Sequence, residues 1–489
     1  MTLTDPAKLQ EQPAPDLPDV AATVATAREA AAWWASLGYK ERRRRTLAWK
    51  NAIANGADDL AAIISRETGK PQGDATLEIM LTLGHLDWAA KHAEKVLKRR
   101  GVPAGAVAFN QKATLGYEPY GVVAVIGPWN YPLYTPMGSV GYAIAAGNAV
   151  VFKPSELTPD TAVWLAKAWT RANPEQPVLQ VVTGGGEVGS ALIRAGVDKV
   201  GFTGSTATAK RVMATCAERL TPLVAECGGK DAMIVAADAN LDLATDFAVF
   251  GGFGNSGQTC VGVERVYVVE SVRRQFLDLL VEKARTLTPG ADESASYGRM
   301  THPSGGDVVR EHVRDALTRG GTALLGGVDS VKAPYVEPIV LTDVPEDADA
   351  VCVETFGPTL VVNGVADLDE AVEKANATDY GLGASIFTRN HRQGERIAAR
   401  LKAGAVTIDS VLGFAGVAAL PFGGVGGSGF GRVHGPDGLR EFSRAKSMTV
   451  QRFKAPLDLL RIDRSERDMK IARSMLHSLH GSKQGGHGA

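Results

Sequence analysis

A thiol and a carboxylate stand at a spacing that suits covalent acyl chemistry. Cys260 closes the run Gly254-Asn255-Ser256-Gly257-Gln258-Thr259-Cys260, and Glu226 opens Glu226-Cys227-Gly228-Gly229-Lys230, 34 residues upstream. A thiolate can attack a carbonyl carbon and hold the acyl group as a thioester. A carboxylate can then activate the water that cleaves it. The small neighbours of Cys260 allow close approach. Asn130, in Pro128-Trp129-Asn130-Tyr131-Pro132, offers an amide N–H for a developing oxyanion, with the backbone N–H of Cys260 as the second donor. Simpler alternatives stand beside these roles: an Asx turn holding the loop for Asn130, and a carboxylate paired with Lys230 for Glu226.

A second group of residues suits a nucleotide. Lys153 and Glu156 follow the apolar run Ala149–Phe152, at the end of a strand where an open sheet presents ligands. Glu156 can accept hydrogen bonds from ribose hydroxyls and would repel a 2′-phosphate. Gly184-Gly185-Gly186-Glu187-Val188-Gly189 matches Gly-x-Gly-x-x-Gly between a strand and a helix. No acid follows at the end of the next strand, Val200–Phe202, and Asp198 lies before that strand instead. A tight turn and a direct phosphate contact both remain open for this motif.

With Glu354-Thr355-Phe356-Gly357-Pro358 downstream, these motifs occur in the order of the NAD(P)-dependent aldehyde dehydrogenase superfamily, which the chain resembles from about residue 25 to about 450. The resemblance implies oxidation of an aldehyde to a carboxylic acid, through a thiohemiacetal and thioester on Cys260, with Glu226 as hydrolytic base. It implies a cofactor, NAD with NADP as the alternative, whose pyrophosphate lies near Thr203, Gly204 and Ser205. A helix N-terminus there suits an anion. Glu354 is similar to the family's nicotinamide-ribose ligand and Phe356 to its ring beside the nicotinamide, with Trp129 among the cofactor contacts. Ala209 stands where the family usually has glycine, and Cys227 where it generally has leucine. Cys227 is read as a packing substitute, with a redox partner for Cys260 as the alternative. Cys216 and Cys352 are read as inert packing thiols.

The segment Val411–Leu420 aligns with the family's substrate-facing loop and is wholly apolar. No arginine lies in Gly254–Glu264 or Asp409–Phe422. A neutral aliphatic or aromatic aldehyde is therefore expected over succinate semialdehyde, whose buried carboxylate would need a partner. A CoA-acylating relative can dispense with a hydrolytic base, so Glu226 favours water as acyl acceptor.

Short β-rich runs alternating with helical patterns must position these groups. Val122–Ile126, Ala149–Phe152, Val178–Val182, Val200–Phe202 and Ala232–Val235 read as strands, as do Val263–Val269, Pro338–Leu341, Thr359–Val362, Ala384–Phe387 and Ala405–Ile408. Leu133–Ala146, Thr161–Ala172, Glu187–Ala195, Ala207–Leu220 and Val272–Leu287 read as helices, and residues 20–65 and 75–100 have helical spacing. The pattern predicts an α/β fold of two doubly wound parallel-sheet lobes, a Rossmann-like cofactor domain and a catalytic domain. The expected divisions are 1–107 with 122–227 for the cofactor domain and 228–439 for the catalytic domain. Residues 108–121 and 440–455 form a small β arm, and 456–489 a tail. By resemblance the arm pairs subunits, implying a homodimer or homotetramer. The tail is read as a surface helix with a disordered Gly- and His-rich end, or as a docking helix for a partner subunit or a membrane surface.

Bulk composition narrows the class. Lys+Arg of 53 against Asp+Glu of 54 leaves a formal charge of −1, with no global field for nucleic acid or an anionic membrane. Four cysteines are too few for a secreted disulfide framework and lack metal-site spacing. No signal peptide is read at the N-terminus, so a reducing, cytoplasmic setting is expected. Pro119–Phe152 carries no charged residue, but Pro128, Pro132 and Pro136 interrupt it. A buried strand, loop, helix and strand explain it better than an integral membrane span.

Overall fold

Runs such as Val122-Val123-Ala124-Val125 can satisfy both faces of a strand only inside a sheet covered on both sides. Those four residues are all buried, as are Val150, Val151 and Val200 beside them. A computed structural model describes residues 19–455 and 461–481. It divides into two units, one running to Leu97 and resuming over Glu118–Arg444, the other formed by Lys98–Tyr117 and the chain from Ala445.

The larger unit holds two sheets. The first has the order Gly429–Phe430, Leu223–Glu226, Lys199–Thr203, Val122–Ile126, Ala149–Lys153, Leu179–Val181. All neighbours are parallel except Gly429–Phe430, which pairs antiparallel with Leu223–Glu226. Strand order reverses at Val122–Ile126, so the sheet is doubly wound, and loops leaving its carboxyl ends are the place for ligands. The second sheet has the order Thr322–Leu325, Ile339–Thr342, Thr359–Val365, Val263–Val269, Asp231–Val235, Gly383–Phe387, Ala405–Ile408. Only its edge strand Thr322–Leu325 is antiparallel. Met233, Val266, Val268, Leu360 and Val362 form its core with Phe253 and Phe276. The α/β expectation of parallel-sheet lobes is met.

Where the chain departs from its sequence pattern, glycine and non-local pairing explain most of it. The stretch 20–65 is not one helix but Val20–Ser36, Tyr39–Asn55 and the start of Ala57–Thr68. At Gly56 a side chain would meet the Trp164 ring at 2.5 Å, so the break doubles as a close approach. The helix expected to reach Leu220 ends at Ala217, and Leu220 itself has φ +55°. Strand Leu223–Glu226 and helices Leu241–Phe253 and Gly305–Thr318 were not anticipated.

In the smaller unit Arg100–Val102, Gln111–Pro119 and Ser443–Gln451 form a three-stranded sheet, and helix Glu466–His480 follows. The readings made for residues 1–18, for Leu459 and Leu460, and for the Gly- and His-rich end after Gly481 lie outside the described residues. Among the described residues no helix is long and apolar enough to cross a membrane.

Candidate active site

The carboxyl ends of four strands of the first sheet, and the loops leaving them, carry Asn130, Lys153, Ser205 and Glu226. The second sheet contributes the approaches to the amino ends of Asp231–Val235 and Val263–Val269, two strands that pair in parallel. Cys260 sits in the second approach, delivered by a turn in which Asn255, Ser256 and Gly257 all have positive φ, at +52°, +59° and +70°. Such conformations cost about 1–3 kcal/mol each outside glycine, and the surroundings must hold them. Asn255 Nδ2 donates to Asn130 O (3.1 Å) and Gln258 O (3.2 Å), and Ser256 Oγ to Gly298 O (2.7 Å). Gln258 Nε2 donates to Asn255 O (3.0 Å) while its Oε1 accepts from Thr301 N (2.8 Å). Thr259 Oγ1 lies 2.9 Å from Tyr131 OH.

Asn130 belongs to the same network. Its Nδ2 donates to Gln258 O at 2.9 Å, two residues before the thiol, so one amide proton holds the loop and the other is left for a ligand. The carbonyl of Asn130 accepts from Lys70 Nζ at 2.9 Å. Lys70 pairs with Glu78 at 2.7 Å, both side chains 1% exposed, and sits 4.0 Å over the Tyr131 ring. The other Glu78 oxygen accepts the backbone N–H of Leu133 (2.9 Å) and Tyr134 (3.0 Å), capping helix Tyr134–Ala146. Sequence reasoning missed this pair. The available signal was Glu78 itself, a carboxylate on the buried stripe of Ala75, Ile79, Thr82 and Leu86.

Glu226 ends its strand in register with Thr203, whose hydroxyl donates to Glu226 Oε2 at 3.4 Å. Its Oε1 is buried with no hydrogen-bond partner. Burial pushes this carboxyl group up to about 8, only partly opposed by the Thr203 hydroxyl and the charge of Arg432. The pairing of Glu226 with Lys230 entertained from sequence does not occur. Lys230 Nζ instead meets Glu264 and donates to Thr355 Oγ1 at 3.0 Å, and Glu264 accepts from Thr355 N (2.8 Å) and Phe356 N (3.0 Å). That buried pair therefore builds the Glu354–Phe356 segment.

Glu354 folds onto the glycines after Glu226. Its Oε1 accepts from Gly229 N at 2.9 Å, and a side chain at Gly228 would meet its Oε2 at 2.1 Å. One at Gly229 would meet the carbonyl of Cys260 at 2.5 Å. Only glycine lets these three strands of the site converge. Burial and then the charge of Glu264 push Glu354 up to about 8. Cys260 is partly exposed, and its thiol is raised well above the ordinary range by desolvation, then by Glu226 and Glu354. Cys216 and Cys227 are buried, and burial raises each to about 11.

The nucleotide-type residues lie on the remaining loops. Lys153 is buried, with Nζ 3.4 Å from the exposed carboxylate of Glu156. Ser205 caps helix Thr206–Ala217 by accepting from Thr208 N, and Gly204 N donates to Glu226 O at 3.1 Å. Phe356, at φ +53°, stands edge-on to Trp129 with ring centroids 5.5 Å apart. A buried ammonium, a helix N-terminus and an aromatic corner suit a dinucleotide's ribose, pyrophosphate and base. In the Gly184–Gly189 motif the Glu187 carboxylate accepts from Gly185 N at 3.0 Å, so an anion already caps the turn. Asp198 is engaged by Arg28 (2.9 Å) and Val122 N (2.8 Å).

Residues 4–448 match the profile of the aldehyde dehydrogenase family. The chain belongs to it. A putative succinate-semialdehyde dehydrogenase (NADP+) 2 of Mycobacterium ulcerans is 37% identical over 89% of this chain and 85% of its own. A 4,4'-diapolycopene aldehyde oxidase of Methylomonas sp is 39% identical, over 88% and 81%. The NAD-dependent aldehyde dehydrogenase structure from Sinorhizobium meliloti superposes with a TM-score of 0.85 at 33% identity, covering 90% and 88%. An NADP-dependent E. coli enzyme does so at 0.84 and 31%, covering 88% and 90%.

In this aldehyde dehydrogenase the apolar segment at 411–420 is tied down by side chains that sequence reasoning did not single out. The carbonyl of Ala415 accepts from both Tyr134 OH (3.0 Å) and His85 Nε2 (2.8 Å), which fixes the Nε2–H tautomer of His85. Tyr142 OH donates to Ala418 O at 3.2 Å, and Phe414 stacks on Phe422 at 5.5 Å.

Proposed function

We propose that the chain oxidises neutral, apolar aldehydes to carboxylic acids with NAD, through a thioester on Cys260 cleaved by water. The observation that carries this reading is Glu226 Oε1, buried, without a partner and electrostatically coupled to Cys260. A carboxyl group held near 8 is poised to take a proton close to neutrality.

Cys260 passes its proton to the carboxylate of Glu226, which releases it to solvent, and the sulfur attacks the aldehyde carbon, placing the carbonyl electrons on oxygen. The free N–H of Asn130 and the backbone N–H of Cys260 are the donors for that oxyanion. Loss of one such donor typically costs about 3–4 kcal/mol of barrier. Bound NAD supplies the acceptor for the hydride that leaves the same carbon. Glu226 then removes a proton from water, the hydroxide adds to the thioester, and the sulfur departs, taking that proton back from Glu226 to regenerate the thiol. Lys153 and Glu156 are assigned to the adenosine ribose, Gly204 and Ser205 to the pyrophosphate, and Glu354, Phe356 and Trp129 to the nicotinamide end. The carboxylate of Glu156 favours NAD over NADP by repelling a 2′-phosphate.

One observation supports an apolar substrate: the Val411–Leu420 segment presents no charged side chain. A steady-state panel of aliphatic, aromatic and ω-carboxylated aldehydes with NAD and NADP tests the reading. Higher kcat/KM for the apolar compounds is expected, and a strong preference for succinate semialdehyde would overturn it.

A further inference from the structure

Among the described residues, helix Glu466–His480 has no cover. Ser465 caps it by accepting from Asp468 N at 3.2 Å, and Asp468 reciprocates on Ser465 N at 3.0 Å. Yet none of its 15 residues is buried. Met469, Ala472, Met475, Leu476 and Leu479 fall on one arc at helical spacing, with Leu476 57% and Leu479 46% exposed. Arg467, Lys470, Arg473, His477 and His480 occupy the neighbouring arc, and both acidic residues of the helix, Glu466 and Asp468, sit in its first turn.

A helix of this length is marginal in water unless its apolar face is covered. A zipper with a second copy needs at least three or four heptads, and this helix offers two. The charge pattern selects a different cover. The whole chain is balanced at −1, whereas the last three turns of this helix carry only basic charge beside the apolar stripe. Lys470 and Arg473 make no ion pair among the described residues, leaving them available to external anions.

We propose that Glu466–His480 is an interfacial helix for an anionic phospholipid surface. Its Met and Leu side chains lie among the acyl chains, and Arg467, Lys470 and Arg473 meet the headgroup phosphates. The assignment is independent of the substrate reading. Cosedimentation of the full-length enzyme with phosphatidylglycerol-containing and pure phosphatidylcholine vesicles tests it. Binding should be roughly tenfold greater to the anionic vesicles and should fall with salt. Lys470→Glu with Arg473→Glu should reduce it to the phosphatidylcholine level. Met469→Gln with Leu476→Gln should abolish it, while aldehyde oxidation without vesicles stays unchanged. Equal binding by wild type and both variants would overturn the proposal. So would loss of oligomer mass in the apolar variant without vesicles, because a partner subunit would then be the cover.

Discussion

Lys70 and Glu78 meet at 2.7 Å inside the protein, and between them they hold the carbonyl of Asn130 and two backbone N–H groups at the start of helix Tyr134–Ala146. Removing one partner leaves an uncompensated buried charge, a loss of about 3–5 kcal/mol. Lys70→Met should therefore destabilise the enzyme by that amount in urea unfolding and lower kcat through Asn130. The Lys70→Met/Glu78→Met double variant should lose clearly less than the sum of the two singles.

The carboxyl group of Glu226 has the opposite sign from a salt-bridged acid. Its folded value, about 8, lies above the roughly 4.3 of an unfolded glutamate, so the folded state holds the extra proton in between. Stability is then fully present below the unfolded value and declines as pH rises towards 8. Glu226→Gln should remove part of that decline, with Glu354 and Asp231 among the other carboxyl groups raised by burial. Single-turnover release of the acid should climb with pH up to about 8 in the wild type and lose that limb in Glu226→Gln. A wild-type rate flat between about pH 6 and 9 would contradict the base assignment.

At Gly228 a methyl group would lie 2.1 Å from Glu354 Oε2, so Gly228→Ala must displace that carboxylate. If Glu354 binds the nicotinamide ribose as proposed, KM for the dinucleotide should rise roughly tenfold, the weight of one charge-assisted hydrogen bond. Combining Gly228→Ala with Glu354→Asp, a shorter acid, should recover part of the loss in initial-rate measurements.

Two donors share the Ala415 carbonyl, and Tyr134→Phe removes one of them. The bond is worth about 1 kcal/mol. KM for bulky aldehydes should change several-fold while that for acetaldehyde stays near wild type, if the bond positions the substrate-facing segment. Equal effects on both would assign it to stability alone.

The proposed reacting groups were legible because each lies in a short motif beside a strand, where chemistry and local sequence coincide. Cys260, Glu226 and Asn130 are brought together by two sheets whose alternating patterns were also visible. Contacts between distant segments were not. Lys70 and Glu78 act on residues 130–134, across a helix break that sequence periodicity blurs. Lys230 was weighed as the partner of Glu226 because it is near in sequence, yet its ammonium reaches Glu264 on the neighbouring strand. The short strand Gly429–Phe430 closes the first sheet from about 200 residues away, and a two-residue strand in a glycine-rich stretch gives no periodicity to read.

The central claim is a thioester on one sulfur, and intact-mass and peptide mass spectrometry test it directly. Glu226→Gln enzyme, quenched after mixing with NAD and an apolar aldehyde, should carry the acyl mass on the Cys260 peptide with one equivalent of NADH formed. An acyl group on Cys227, or free acid released at the wild-type rate with no adduct, would contradict it.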